Sequence, residues 1–241
     1  MHELAKRKKN NVFESVFFIL IVVIGAYVIL RSPFFEISQV VILGNSVLTE
    51  EEIVAQADLD LGVNIFRVDL TEIAGQIEKV PTIKEAQVTR ELPATVKIRV
   101  KERTPLGIIS TDNGFVSVDQ EGVCLQRTDS GTPGIPVITG IMVGAADPGD
   151  RIENELLFDV LKIIDGFPAD LVADFSEVNI EQGGQIKAYT LDHIQCILGQ
   201  AEDIHEKGYV LTAILSELRQ QGVGVSYINV SSVEKPAVKY K

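Results

Sequence analysis

The stretch from Val12 to Leu30 is almost uninterrupted apolar sequence, and only Glu14, near its start, carries a charge. At ~1.5 Å of rise per residue, a helix of that length spans roughly 28 Å, close to the hydrocarbon thickness of a bilayer. A cleaved signal peptide has a shorter apolar core and a small-x-small cleavage site after it. Here the run leads into Tyr27-Val28-Ile29-Leu30-Arg31, with no such site. The segment reads as a membrane anchor. Lys6, Arg7, Lys8 and Lys9 precede it, and only Arg31 follows before Arg67. The excess of positive charge on the N-terminal side predicts a cytoplasmic N-terminus and an extracytoplasmic remainder.

Charge narrows the partners of that remainder. The chain carries a formal net charge of −12, most of it after the anchor. An acidic domain repels phosphate backbones, so nucleic acid is not an expected partner and protein is. The two cysteines, Cys124 and Cys196, are too few for a disulfide framework. One bridge and two unpaired core thiols both remain open.

After the anchor, Ile37 to Leu43 is a β-rich run closed by the turn signal Gly44-Asn45-Ser46. Thr49-Glu50-Glu51-Glu52 has the form of a capping box, in which threonine accepts from a first-turn N–H and glutamate reaches back. Acidic residues are favourable at a helix start, which accounts for the trio without a cation site. A second helix begins at Asp69, with Leu70, Ile73, Ala74 and Ile77 along one face, and Val80-Pro81 closes it. A hairpin follows. Ala86 and Val88 alternate with polar residues, Leu92-Pro93-Ala94 turns, and Thr95 to Glu102 alternates cleanly. Val96, Ile98 and Val100 share one face; Lys97, Arg99 and Lys101 share the other, a solvated basic stripe.

The predicted order is therefore strand, helix, helix, strand, strand. With Phe34-Phe35-Glu36-Ile37, Gly44-Asn45, Gly62-Val63-Asn64-Ile65-Phe66, Arg90 with Pro93, and Val100-Lys101-Glu102-Arg103-Thr104-Pro105 in that sequence, the stretch resembles the POTRA domain of the bacterial division proteins FtsQ and DivIB. One departure is Thr82, where many relatives carry an aromatic residue after the proline.

From Leu106 onward, short strands are punctuated by Asp112-Asn113-Gly114 and by Asp119-Gln120-Glu121-Gly122, and Arg127 to Pro136 reads as a surface loop. Amphipathic helices are expected over Glu153–Asp165 and Ile204–Gln220, and strands over Val178–Ile180, Gln185–Thr190, His193–Leu198 and Val225–Val230, with a last edge strand at Ala237–Tyr240. The phrase Phe115-Val116-Ser117-Val118-Asp119 with Gly122, and the late helix, strand and Pro236, are similar to the β domain that follows POTRA in the same family. The expected fold class is α+β: a basic tail at 1–11, an anchor at 12–30, POTRA at 34–104 and a β domain at 105–241.

Motifs of catalysis are not evident. His193 and Cys196 are the nearest approach to a reactive pair, and a three-residue offset in a strand would point them to opposite faces. No His/Cys/Asp grouping has zinc spacing, and Gly222-Val223-Gly224 lacks the third glycine and preceding strand of a dinucleotide loop. No cofactor is expected. An anchored wall hydrolase or peptidase needs a catalytic constellation, and an outer-membrane assembly factor needs several POTRA repeats and a barrel.

What the resemblance implies is a non-enzymatic divisome scaffold, held in the cell membrane by a single pass at the division septum. Its expected partners are FtsB/DivIC-like and FtsL-like bitopic proteins, with the septal peptidoglycan synthase complex as a further one, and its expected role is in controlling septal peptidoglycan synthesis. The contact is expected by strand addition at a sheet edge near the C-terminus, with Val225, Tyr227, Asn229, Val230, Val238 and Tyr240 as the partner-binding residues.

Overall fold

The computed structural model describes the backbone of residues 2–129 and 131–241, and the side chains among them from residue 13 onward. The N-terminal helix α1 runs His2–Leu30. Its stretch Phe13–Leu30 is long and apolar enough to cross a membrane, and none of it is buried against the rest of the chain. The chain divides into two compact units, one formed by 1–79 and 83–102, the other by 80–82 and 103–241.

In the first unit a one-turn 3-10 helix, Pro33–Phe35, leads from α1 into β1, Gln39–Leu43. Helices α2, Glu50–Ala57, and α3, Leu70–Ile77, follow, then β2, Ile83–Glu91, and β3, Thr95–Glu102. The sheet order is β1-β3-β2, with β1 parallel and β2 antiparallel to the central β3. The alternation in β3 works as the sequence predicts: Val96, Ile98 and Val100 are buried, while Arg99 and Lys101 face solvent.

Both helix starts are side-chain built. Thr49 Oγ1 accepts from the Glu52 N–H while Glu52 accepts from the Thr49 N–H, and Asp69 accepts from the N–H groups of Thr71 and Glu72. Such a cap contributes about 1 kcal/mol. Each fully buried isoleucine, such as Ile53, Ile65, Ile77 or Ile98, contributes about 1.5–3 kcal/mol. The core therefore decides stability, and the caps decide where the helices start.

Two long-range ties hold the loops of this unit. Gly44 sits at φ +88°, and a Cβ there would lie 2.2 Å from the Val100 carbonyl oxygen, so only glycine lets β1 turn so close to β3. The strand end then receives the loop: the Glu102 carboxylate accepts the N–H groups of Ser46, Val47 and Leu48 at 2.9–3.1 Å and the Ser46 hydroxyl at 2.7 Å. At the other end the Arg90 guanidinium donates to the carbonyls of Ile65 and Val68.

The second unit is one nine-stranded sheet with helices on one face. Its strands are β4 (Gly107–Thr111), β5 (Gly114–Val118), β6 (Cys124–Arg127), β7 (Val137–Thr139), β8 (Phe175–Ile180), β9 (Ile186–Thr190), β10 (Gln195–Gly199), β11 (Val225–Asn229) and β12 (Ala237–Tyr240). They lie in the order β12-β11-β10-β9-β8-β7-β4-β5-β6. Helices α4 (Glu155–Gly166), α5 (Ala169–Ala173) and α6 (Ile204–Gln221) supply Leu157, Leu161, Ile164, Leu171, Leu211 and Leu215 to a core completed by Val178, Ile180, Ala188, Leu198 and Ile228 from the sheet. The expected α+β class is what the chain adopts.

Several boundaries differ from the sequence reading. Strand β8 begins at Phe175, ahead of the expected Val178, and β7 and α5 were not expected. Strand β7 is three residues long and owes its existence to parallel neighbours on both sides, β4 and β8. Gly140 ends it at φ +87°, where a Cβ would meet the Ile180 carbonyl oxygen at 1.9 Å. Strand β10 begins at Gln195, not His193. His193 is exposed in the preceding turn at φ 64°, so the strand argument that separated it from Cys196 does not apply.

The Glu102 cluster gives a pH-dependent expectation. Partial burial raises the carboxyl pKa, but the hydrogen bonds from Ser46, Leu48 and Val47 outweigh it and hold the group below its ordinary value. A depressed carboxyl stabilises fully above its unfolded value, near pH ~4.3, and that contribution is lost as the pH falls through the native one. Glu102→Gln should cost on the order of 1–2 kcal/mol at neutral pH and accelerate hydrogen exchange at the amides of Ser46, Val47 and Leu48. Urea denaturation should show the gap to the parent narrowing below about pH 4.

Candidate partner-binding edge

A sheet leaves unpaired N–H and C=O groups only along its two outer strands, and these are sticky unless covered. In the nine-stranded sheet the outer strands are β6 and β12. Strand β6 is covered: the Cys124 N–H donates to the Asp150 carbonyl, the Gly149 N–H donates to the Cys124 carbonyl, and Arg127 pairs with Asp147. Val123 and Arg151 form a further bridge. Strand β12 pairs with β11 on its inner side, and among the described residues no strand lies on its outer side.

The residues expected at this edge fall into two groups. Val238 and Tyr240 are on β12 itself, the first half-buried against the core and the second exposed. Val225, Tyr227 and Asn229 belong to β11, one strand in, and Val230 follows its end. Simple alternation would place Val225, Tyr227 and Asn229 on one face. A register shift between Val225 and Tyr227 breaks that parity. Val225 therefore turns into the core with Ile228 and Val230, all nearly inaccessible, while Tyr227 and Asn229 point to the other face.

Among the described residues, that other face carries no helix from β8 to β12. From β8 to β12 a single cross-strand row joins Glu177, Tyr189, Gln195, Tyr227 and Lys239. Gln195 Nε2 donates to the Tyr189 hydroxyl at 3.2 Å, and Lys239 Nζ stands 5.8 Å from the Tyr227 ring centre. The row runs out at β12, so edge and face form one continuous surface. Lys235, Lys239 and Lys241 lie on or beside β12, with Glu234 the one acidic side chain next to them in sequence, in a chain of net charge −12. Sequence reasoning missed Tyr189, Gln195 and Lys239. Outward alternation in β9 was visible, but its alignment with β12 depends on a register between distant strands.

Several groups that could carry chemistry are engaged elsewhere or sealed, whereas His193 is exposed. Arg103 Nη1 donates to Asp119 and Glu121 at 2.5 and 2.7 Å, while Asp119 also accepts the N–H groups of Glu121 and Val123 and so shapes the β5–β6 turn. Arg219 joins Asp174 and Asp192. Among the described residues no group of three or more His, Cys, Asp or Glu could hold a metal ion. Cys124 and Cys196 are both free and fully buried. Five strands stand between β6 and β10, a separation of roughly 29 Å at about 4.8 Å per strand, far beyond disulfide reach. Burial, with Asp150, Asp147 and Asp119 nearby, pushes the Cys124 thiol up to about 11; burial, with Asp174 and Asp192, pushes Cys196 up to about 12.

Residues 35–103 match the family model of the POTRA domain, FtsQ-type, and residues 107–231 match that of the cell division protein FtsQ/DivIB, C-terminal. Strand β12 lies beyond both matches. Cell division protein DivIB of Clostridium tetani is 28% identical over 235 residues, which cover 93% of this chain and 87% of that protein. Cell division protein FtsQ of Syntrophotalea carbinolica is 28% identical over 213 residues, 86% of this chain and 75% of that protein. Among solved structures, the major extracytoplasmic domain of DivIB from Geobacillus stearothermophilus matches with a TM-score of 0.36 and 13% identity, over 50% of this chain and 97% of that one.

The sealed thiols lead to a direct expectation. A disulfide-exchange reagent at mildly alkaline pH should find no reactive sulfur in the folded protein, because the thiolate is the nucleophile and both thiols are held protonated. Denaturation should release both. Rapid labelling of the folded chain would contradict the buried positions.

Proposed function

The chain belongs to the FtsQ/DivIB family of bacterial cell division proteins, whose C-terminal model alone matches more than half of it, and from that premise we propose that it is a membrane-anchored, non-enzymatic scaffold of the division machinery. In this reading α1 crosses the cell membrane with its N-terminus in the cytoplasm, and the two modules stand outside at the septum. The modules bind FtsB/DivIC-like and FtsL-like bitopic proteins and so take part in the control of septal peptidoglycan synthesis.

The observation that carries the reading is the uncovered β12 edge. A partner segment that adds as a tenth strand gains main-chain hydrogen bonds along β12, while its alternate side chains reach Val238 and Tyr240 or the helix-free row beginning at Tyr227 and Lys239. Val225 and Val230 act from beneath, by fixing the position of β11, and Asn229 lies on the helix-free face beside that row. The lysines around β12 favour a partner segment that carries carboxylates.

Co-purification of the full chain with extracytoplasmic segments of the FtsB/DivIC-like and FtsL-like proteins of the same organism tests this. Combining Val238→Asp with Tyr240→Lys should weaken capture by roughly tenfold or more, which corresponds to at least about 1.4 kcal/mol. Hydrogen exchange in β8 to β10 should stay unchanged, showing that the core is intact. Undiminished capture by the folded double variant would remove β12 as the interface.

A further inference from the structure

The exposed apolar side chains of the first module are unevenly placed. Leu43 and Val47 stand at the C-terminal end of β1. Phe34, Leu61, Val63, Phe66 and Leu92 gather at the opposite end, where α1 arrives. The backbone brings them there from distant parts of the sequence. The Ile37 N–H donates to the Val63 carbonyl, and the Ile65 N–H to that of Phe35, which lays the 61–66 loop beside the segment leaving α1. The β2–β3 turn reaches the same end, because the N–H groups of Ser38 and Gln39 donate to the Ala94 carbonyl and Arg90 donates to Ile65 and Val68. The Phe35 ring centre is 5.2 Å from those of both Phe34 and Phe66. Asn64 Nδ2 donates at 2.7 Å to the carbonyl of Leu30, the last residue of α1.

Phe34 is 67% exposed, Leu61 64%, Leu92 60% and Phe66 43%. Leaving such a group in water is costly, and contiguous exposed apolar surface marks a contact site. What lies against it follows from continuity. The patch begins at the end of an apolar helix whose Tyr27 and Arg31 have the composition of a membrane–water interface. Arg31 lies 4.6 Å from the Tyr27 ring centre, and Arg67 follows Phe66 directly. Asp60, Glu91 and Glu36 adjoin the patch as well as the arginines, so the aromatic and aliphatic side chains, rather than net charge, suit it to the interfacial layer.

We propose that this end of the first module is a lipid-contact surface, with Phe34, Leu61, Val63, Phe66 and Leu92 seated in the interfacial layer of the bilayer that α1 crosses. The module is thereby held against the membrane by side chains as well as tethered to it by the chain. The proposal rests on α1 being the membrane anchor, and the test separates the two.

The chain contains no tryptophan, so a single introduced one reports on its own surroundings. The full chain carrying Phe66→Trp, Phe18→Trp or Tyr209→Trp would be placed in nanodiscs of phosphatidylcholine and phosphatidylglycerol, with or without brominated acyl chains. Phe18 lies within the α1 span, and Tyr209 is exposed on α6 of the second unit. The expected result is bromine quenching and blue-shifted emission for Phe66→Trp as well as Phe18→Trp, with Tyr209→Trp unaffected. Quenching of Phe18→Trp but not Phe66→Trp would overturn the lipid contact and leave the anchor standing. No quenching of Phe18→Trp would overturn the anchor and the contact with it. Equal quenching at all three positions would mean unspecific adsorption and would likewise overturn the proposal.

Discussion

Backbone pairing is the constraint from which the second unit follows. Each interior strand of the nine-stranded sheet has both sides occupied, so unpaired groups are driven to the two outermost strands. The chain treats these two differently. One is closed by its own loop around Gly149 to Arg151, and the other is left as a short, lysine-flanked strand. Covering only one sheet face with helices repeats the asymmetry in the other dimension. The helices bury aliphatic residues of one face, and from β8 to β12 the opposite face keeps glutamate, tyrosine, glutamine and lysine in a row.

The arginines illustrate how an acidic chain uses its few cations. Arg90, Arg103 and Arg219 each bridge two acceptors, carbonyls in the first case and carboxylates in the others. Planar guanidinium suits such double contacts better than an ammonium. These residues organise loops and turns.

Local signals were legible and long-range ones were not. The Thr49 and Asp69 caps and the span of β3 follow from spacing of three or from strict alternation, and all appear where spacing puts them. Strand β7 and helix α5 are too short to have a period, and their stability comes from neighbours far away in sequence. Glu102 reads as the last residue of a strand, and it is; its role as an acceptor depends on amides more than fifty residues upstream. At the C-terminal edge, the division between Val225 and Val230 on one side and Tyr227 and Asn229 on the other depends on a register shift that alternation cannot reveal.

The two cysteines have a consequence for biogenesis. Their sulfurs lie in opposite halves of one sheet, dry and protonated, and the fold closes without joining them. Assembly of this unit therefore calls on no oxidase or isomerase, and its native state is the same whether the surrounding compartment is reducing or oxidising. The architecture is redox-indifferent, a property set by packing alone.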